Sequence, residues 1–272
     1  PKILNLSGIG DPDELNKLGI KTSIANKNIG KNLQDHLTVN ISATVEGHNT
    51  FYEELRGLNV IKHLINYYRN KPSLFSYAAA DVGVFFKLNE SSQNPDFQIH
   101  FAPGAGQYHK DGKMRPISGI TASVCQLRPF SRGSVKLQTA NYEDDPIIDY
   151  GYLNDSRDTE ILLKGIKIVR QFFKTTVMDN LNAKEIAPGI EVTNDSELEK
   201  FLKANALSVY HPVGTCKMGL DSTSVVDPEL RVHGVEGLRV ADASILPQLI
   251  SGNTNAICTV IGVKWADMIE RN

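Results

Sequence analysis

The sequence predicts an α+β fold, in which an antiparallel sheet is backed by helices. The strand signal is an alternation of apolar and polar residues over 37–45, and the same period of two returns over 97–101 and 120–124. The helix signal is a spacing of three and four between apolar residues over 58–68 and 161–173. Because a strand with one apolar face needs a second layer to cover it, we expect these helices to pack on the sheet.

Polar residues mark where two of the helices should begin. The cluster Asn154-Asp155-Ser156 precedes the pattern over 161–173, and its side chains are of the kind that cap helix N-termini. Ser196 and Glu199 have the spacing of a capping box. They predict a further helix through 198–202.

Composition excludes several classes of protein. The 272 residues include 29 Lys+Arg and 31 Asp+Glu, a net charge of −2, with no basic run of the kind that nucleic acid binding requires. No run approaches the roughly 20 apolar residues of a membrane span. The three cysteines, Cys125, Cys216 and Cys258, lie far apart, which favours reduced thiols and a cytoplasmic location, either free or at the inner face of a membrane.

The last quarter of the chain carries three short motifs in a fixed order. They are Tyr210–Gly219 (YHPVGTCKMG), Val240–Ile245 (VADASI) and Ser251–Ala256 (SGNTNA), and a helical pattern follows them. Together they resemble the signature of the glucose/methanol/choline (GMC) family of flavin-dependent alcohol oxidoreductases. Two earlier segments, Pro1–Gly10 and Asn32–His36, resemble a mid-chain signature and the domain-joint motif of the same family.

The resemblance implies a domain organisation. Residues 1–37 are expected to end an FAD-binding part, 38–205 to form the substrate-binding domain, and 206–272 to return to the FAD-binding part. In the family, a glycine-rich fingerprint on a Rossmann-like half lies upstream of such segments. No such run occurs in these 272 residues. We therefore expect the chain to correspond to the C-terminal half of a GMC enzyme, with the N-terminal half of the Rossmann-like domain missing.

His211 is the candidate base. Removing an alcohol proton at neutral pH suits an imidazole, whose ordinary pKa is about 6.5. A lone histidine is more often structural, and it is the motif that assigns His211 to catalysis. A zinc site built on His211 and Cys216 would need a second pair of ligands at a suitable spacing, and the sequence has none. Cys216 is therefore interpreted as a small buried residue.

The other site residues follow from the resemblance. The family pairs its motif histidine with His or Asn, and this sequence has Asn253 at that position, where it would orient the alcohol oxygen. A helix N-terminus offers free N–H groups and partial positive charge to an anionic ring edge. The residues implied to meet FAD are Asp242, Ala243, Thr254, Asn255 and Ala256. Without the resemblance to the family, Asp242 would be interpreted as a turn residue and Asn253 as a helix cap.

The implied function is oxidation of a primary alcohol, choline-like or aliphatic, to an aldehyde, with hydride transfer to FAD and with either a quinone or oxygen as the final electron acceptor. We expect these residues alone neither to retain FAD nor to be active. Two alternatives stay open: a catalytically inactive substrate-domain module, and a GMC-type hydroxynitrile lyase. A quaternary ammonium substrate needs an aromatic or acidic cage. The candidates, unranked, are Tyr77, Phe85, Phe86, Tyr108 and Glu54.

Overall fold

The protein is described by a computed structural model that covers residues 1–78, 80, 82–108 and 113–270. Its internal contacts divide the chain into two compact units. The first contains Pro1–Leu37, Leu127–Asp158 and the part of Ser208–Asn272 that is described. The second contains the described residues of Thr38–Gln126 together with Thr159–Leu207.

Within the described residues, helices and strands follow one another without strict alternation. The helices are α1 (Lys2–Leu6), α2 (Pro12–Lys17), α3 (Phe51–Glu54), α4 (Leu58–Tyr68), α5 (Ser156–Phe172), α6 (Thr176–Asn180), α7 (Asp195–Asn205) and α8 (Asn255–Glu270). The strands are β1 (Ile9–Gly10), β2 (Ile24–Ala25), β3 (Leu37–Thr44), β4 (Val82–Phe86), β5 (Phe97–Ala102), β6 (Ala105–Tyr108), β7 (Met114–Ile117), β8 (Gly119–Gln126), β9 (Ser134–Lys136), β10 (Ile147–Asp149), β11 (Lys184–Ala187) and β12 (Leu207–Ser208). Single 3-10 turns occur at Leu74–Ser76 and Ala243–Ile245.

The second unit is built on an antiparallel sheet. Its strands lie in the order β11-β3-β8-β5-β4, and every neighbouring pair is antiparallel. Val39 pairs with Val124, which in turn pairs with Ile99, so the apolar positions of the three alternating segments align across the sheet. The α+β class predicted from the alternation is confirmed.

Helix α5 covers one face of this sheet at very close range. Leu162, Ile166 and Val169 recur at helical spacing and are buried. Between them lies Gly165, where an added Cβ would stand 2.6 Å from Val124 Cγ1 and 2.8 Å from the Phe97 ring. The helix approaches the sheet this closely because position 165 has no side chain.

The first unit has little regular structure and a core made largely of loop residues. A short parallel pair, β1 with β2, and an antiparallel pair, β9 with β10, are its small sheets. Its apolar cluster draws residues from both ends of the chain: Leu4, Ile9, Ile29, Val213, Cys216, Val225, Val226, Leu230, Val232, Ile245, Leu246, Leu249 and Ile261. Cys216 is buried in this cluster, as the sequence interpretation had it.

Residues 127–158 lie in the first unit, although the boundaries inferred from the sequence place them within 38–205. Backbone hydrogen bonds explain the difference. Leu33 and Gly133 exchange N–H···O bonds of 3.1 and 2.8 Å, and Val135 N–H donates to Gly30 O at 2.7 Å. Gly30 has φ +80°, and a Cβ there would stand 2.1 Å from Val135 O, so the pairing needs glycine.

The helix patterns are confirmed, but one predicted cap is wrong. Helix α7 begins at Asp195, and Asn194 Oδ1 accepts from Glu197 N at 3.0 Å. Asparagine is a strong N-cap residue, and it satisfies an amide of the first turn. Ser196 therefore lies inside the helix, and the predicted capping box with Glu199 does not form.

Two helices leave apolar side chains exposed. Helix α4 has no buried residue, and α8 buries Ile261 alone among its described residues. The α8 residues Val260, Trp265 and Ile269 are each at least 38% exposed. Among the residues that the structure describes, no helix has the length and apolar character needed to span a bilayer.

The close approach at Gly165 gives a test in which two effects have opposite signs. Alanine improves helix propensity by about 1 kcal/mol over glycine, but a methyl group forced against Val124 and Phe97 costs about 1–3 kcal/mol. We expect Gly165→Ala to lower the free energy of unfolding in urea titrations. The neighbouring exposed Lys164→Ala should change it by less than about 0.5 kcal/mol. A stabilised Gly165→Ala variant would contradict the packing described for α5.

Candidate active site

The segment that carries His211 is held by a backbone ladder within the first unit. Val213 N–H donates to Gln34 O at 2.9 Å, and Gln34 N–H donates back to Val213 O at 3.0 Å. The next residue, Gly214, has φ +96°, and a Cβ there would stand 2.4 Å from Asn32 O. Glycine is therefore required where the HPVG segment passes the residues before His36.

The second motif runs beside the first. Cys216 N–H donates to Ser244 O at 2.8 Å and Met218 N–H to Ile245 O at 2.7 Å, so residues 216–218 follow the 3-10 turn. Gln34, which is 1% exposed, links the chain beyond this turn, because its Oε1 accepts from Leu249 N at 3.1 Å. The motifs at 210–219 and 240–245 therefore lie side by side.

Asp35 is a buried carboxylate that joins three segments of the chain. Its Oδ1 accepts from His36 N at 2.9 Å and from His211 N at 2.7 Å. Its Oδ2 accepts from Tyr152 OH and from Ser208 Oγ, each at 2.5 Å. Burial, and then the bond to Asp35, raise the pKa of Tyr152, so its hydroxyl remains a donor. A carboxylate that is 2% exposed is thus supplied with four donors.

His36 lies directly against His211. The Nδ1 atoms of the two rings are 2.9 Å apart, the ring planes are nearly perpendicular, and His36 is fully buried. His36 Nε2 is 3.1 Å from the carbonyl oxygen of Leu127. Burial lowers the pKa of His36 to about 4, against the opposing effect of the Leu127 carbonyl. His36 is therefore a neutral imidazole at pH 7.

The other side of the His211 ring faces the third motif. His211 Nε2 is 3.4 Å from Asn253 Nδ2. Helix α8 begins two residues later, at Asn255, and Cys258 N–H donates to Thr254 O at 3.0 Å. The amides of Asn255 and Ala256 belong to the first turn, where the helix offers them no carbonyl partner. An imidazole nitrogen, an amide side chain and a helix N-terminus thus follow one another along this part of the unit.

Asp242, Ala243 and Ser244 border an open cavity of about 390 Å³, whose lining also includes Pro212 and Thr215. Asp242 Oδ1 accepts from Ser244 N at 2.7 Å and so caps the 3-10 turn. Ser244 Oγ is buried and has no hydrogen-bond partner among the described residues. An unsatisfied hydroxyl and an exposed carboxylate beside a cavity suit a ligand that has hydroxyl groups of its own.

Sequence reasoning brought His211 and Asn253 into one site, and the structure places them in contact. The residues that hold the His211 segment were not identified from the sequence: Asp35, His36, Tyr152 and Ser208. A signal was present, because Asn32-Leu33-Gln34-Asp35-His36 groups four polar side chains next to the first buried strand. Polar side chains that become buried need partners: Asp35 and His36 find theirs at His211, and Gln34 finds one at Leu249.

The cage candidates all lie in the second unit. Tyr77 and Phe85 are 58% and 49% exposed, and Phe86 stacks on Phe97 with ring centroids 5.0 Å apart. Glu54 Oε2 is 2.9 Å from His63 Nε2. The side chain of Tyr108 lies outside the described residues.

Comparison with known proteins identifies the chain. Residues 129–262 match the family model for GMC oxidoreductases. The chain belongs to the GMC oxidoreductase family. The resemblance that the three C-terminal motifs predicted is therefore confirmed.

The similarity to other GMC proteins extends over the whole chain. It is 39% identical to an alcohol dehydrogenase [acceptor] of Pseudomonas putida, covering 100% of this chain and 49% of that protein. It is 35% identical to an oxygen-dependent choline dehydrogenase of Klebsiella pneumoniae, and the match covers 99% of this chain and 49% of that protein. The chain spans about half the length of these curated relatives.

Solved structures agree with the fold. A structure of Aspergillus oryzae formate oxidase, in work on FAD modification in that enzyme, matches with a TM-score of 0.90 at 26% identity. The match covers 100% of this chain and 52% of that one. A pyridoxine 4-oxidase matches with a TM-score of 0.81 at 24% identity, and it supports the fold alone.

The bond from Tyr152 to Asp35 should be measurable in stability. Removing a hydrogen bond to a charged group costs about 1.5–3 kcal/mol, so Tyr152→Phe should lower the free energy of unfolding by that amount. The matched control is Tyr142→Phe, whose side chain is 73% exposed. Equal losses in the two variants, by urea titration, would show that Asp35 does not depend on the Tyr152 hydroxyl.

Burial of neutral His36 makes stability depend on pH. Its pKa is about 4 in the folded protein and about 6.5 when unfolded, so between these values the unfolded chain binds the extra proton. The contribution of neutral His36 to the free energy of unfolding is fully present above pH 6.5. It is lost as the pH falls toward 4, and the total loss is about 3 kcal/mol. His36→Asn has no group to titrate, so its stability deficit relative to wild type should shrink on acidification. A deficit in urea titrations that is the same at about pH 7 and about pH 4.5 would contradict this assignment.

Proposed function

We propose that His211 and Asn253 are the proton acceptor and the alcohol-orienting residue of an FAD-dependent alcohol oxidoreductase of the choline-dehydrogenase-like branch. The observation that carries the proposal is the pairing of His211 Nε2 with Asn253 Nδ2, 3.4 Å apart, immediately before helix α8. The names of the two curated relatives, an alcohol dehydrogenase and a choline dehydrogenase, support a primary alcohol as substrate. Since the chain spans about half the length of these relatives, we assign the activity to a protein of their full length.

The residues of the first unit fit part of an FAD molecule. Asp242, Ala243 and the unpartnered Ser244 hydroxyl would meet its polar chain at the 390 Å³ cavity. Thr254, Asn255 and Ala256 would meet its ring edge at the N-terminus of α8, where free amides and the helix dipole favour negative charge. The chemistry that bound FAD supplies is acceptance of a hydride from the carbinol carbon, for which no side chain is suited.

His211 has the properties of a general base. Its Nδ1 is engaged by His36, so Nε2 is the nitrogen that accepts the hydroxyl proton. His211 is 9% exposed, and its backbone N–H is fixed on Asp35, so the base is held in one place before substrate binds. Loss of the hydroxyl proton to Nε2 and of a hydride from carbon converts the alcohol to an aldehyde.

Asn253 cannot take a proton at neutral pH, and its role follows from its amide. The Nδ2–H groups are donors, and one of them can hold the alcohol oxygen while Nε2 of His211 removes its hydrogen. As that oxygen gains negative charge, the Asn253 N–H and the newly formed N–H of His211 both stabilise it. The two residues therefore have different roles: His211 moves a proton, and Asn253 fixes the alcohol oxygen.

FAD retention should also differ between the full-length protein and residues 1–272. These residues contain no Gly-x-Gly-x-x-Gly run, which is the segment that cradles a dinucleotide pyrophosphate. We therefore infer that they do not hold FAD by themselves and that they are inactive in isolation.

Anaerobic mixing with alcohol tests the proposal. The full-length protein is mixed with choline or with simple primary alcohols while the visible flavin absorbance is followed. Wild type should be bleached, and His211→Ala should slow the bleaching by about 10²–10⁴-fold, the usual contribution of a general base. Asn253→Ala should slow it by about 10²–10³-fold, as for the loss of one oxyanion donor.

The matched control is His233→Ala, a histidine that contacts Ser224 and the Gly219 carbonyl and should bleach at the wild-type rate. Bleaching that is indifferent to His211 would refute its assignment as base. An absence of bleaching with every alcohol, accompanied by cleavage of a cyanohydrin, would indicate a lyase. No reaction of either kind would indicate an inactive module.

A further inference from the structure

Two contacts of the His36 ring, with His211 and with the Leu127 carbonyl, place opposite demands on its two nitrogens. Nε2 is 3.1 Å from the backbone carbonyl oxygen of Leu127, and a carbonyl oxygen can only accept. Nε2 must therefore carry a hydrogen. Because the fully buried ring is neutral at pH 7, its other nitrogen, Nδ1, has a lone pair and is an acceptor.

The state of His36 determines the state of His211. The two Nδ1 atoms are 2.9 Å apart, and a hydrogen bond between them needs one donor and one acceptor. Since His36 Nδ1 is the acceptor, His211 Nδ1 must be the donor. A neutral His211 ring that carries its hydrogen on Nδ1 has an unprotonated Nε2.

On the other side of the His211 ring, Asn253 offers a contact that suits an unprotonated Nε2. Asn253 Nδ2 is a donor, and it lies 3.4 Å from His211 Nε2. A hydrogen on Nε2 would point at another N–H group. The contact with the Leu127 carbonyl leads, through His36, to an unprotonated His211 Nε2. An unprotonated nitrogen can accept from Asn253 Nδ2, so the two sides of the His211 ring agree.

We propose that His36 is a positioning residue that sets the tautomer of His211: the Leu127 carbonyl fixes the hydrogen on His36 Nε2, His36 Nδ1 then fixes the hydrogen on His211 Nδ1, and His211 Nε2 is left as the base. The inference rests on the proposed function, since it concerns the base of that reaction. His36 touches neither substrate nor cofactor in this role. It acts through His211.

The same contact serves the protonated state. When Nε2 takes the alcohol proton, the His211 ring becomes an imidazolium, and its Nδ1–H donates to a neutral acceptor in a charge-assisted bond. The charge remains on His211, because moving the Nδ1 proton to His36 would place it on a ring whose burial disfavours the charged form. His36 therefore stabilises the product of proton abstraction without competing for the proton.

Nitrogen NMR of ring-labelled histidine reads the tautomers directly. In the full-length holoenzyme near neutral pH, His211 Nδ1 and His36 Nε2 should give pyrrole-type resonances, and His211 Nε2 and His36 Nδ1 pyridine-type resonances. His211→Ala and His36→Asn assign the signals. A pyrrole-type His211 Nε2 in the wild-type protein overturns the proposal, whatever the activity of any variant.

Two polar substitutions separate tautomer control from simple support of the fold. In His36→Asn, the amide oxygen takes the position of Nδ1 and can accept from His211. In His36→Gln, the amide nitrogen takes the position of Nε2 and can donate to Leu127, but nothing replaces the Nδ1 acceptor. If His36 controls the tautomer, the His36→Asn variant keeps the His211 NMR pattern and the His36→Gln variant loses it. If His36 only supports the Leu127 carbonyl, His36→Gln is the better replacement.

Flavin reduction by the alcohol should follow the NMR pattern. His36→Asn should stay within about 10-fold of wild type, while His36→Gln should be slower by more than this, up to the roughly 10⁴-fold that a wrong tautomer of a base can cost. The control is His233→Gln, with the wild-type rate. A Gln variant as fast as wild type, or an Asn variant slower than Gln, refutes the proposal.

Failure of the proposed function is recognised separately. If the wild-type protein does not oxidise alcohols yet shows the expected nitrogen pattern, the reaction assignment is wrong and the tautomer assignment stands. If it oxidises alcohols with the opposite pattern, the reaction stands and the role of His36 falls.

Discussion

The arrangement of the first unit depends on one buried carboxylate, that of Asp35. An ionised carboxylate has no donor and about four acceptor positions, so burying it is costly unless each position meets a hydrogen. Two backbone amides and two hydroxyls meet this requirement. The donors come from residues 36, 152, 208 and 211, so the requirements of one side chain bring distant segments to the same point.

The two amides share a single oxygen, and this has a geometric consequence. His36 N and His211 N both donate to Oδ1 of Asp35, so the two backbones are held within one hydrogen-bond length of a common atom. Their side chains then lie together, with the Nδ1 atoms 2.9 Å apart. Asp35 thus positions His211 through its backbone and leaves both ring nitrogens of His211 to other partners. This differs from a triad, in which the carboxylate bonds the imidazole itself.

The fold was predictable where a local pattern has only one structural solution. Alternation over 37–45 and spacing over 161–173 correspond to β3 and α5, because a period of two or of 3.6 residues fixes which side chains share a face. The first unit was less predictable, because its core is made of loop residues whose burial follows no period. The pattern over 58–68 gave a helix correctly, but the apolar face of α4 is exposed, since periodicity specifies a face and not what covers it.

The site was half predictable for the same reason. The three motifs pointed to His211 and Asn253, whose side chains lie 3.4 Å apart in the structure. The partners at 35, 36, 152 and 208 are separated from His211 by up to 176 positions and are joined to it by contacts alone. The consequence is an imidazole, the proposed base, with two different sides. Nδ1 faces buried groups that decide where its hydrogen lies, and Nε2 faces an amide donor beside a helix N-terminus. A histidine in which one nitrogen is engaged by the fold presents the other in a single protonation state, which is the condition a general base must meet before its substrate arrives.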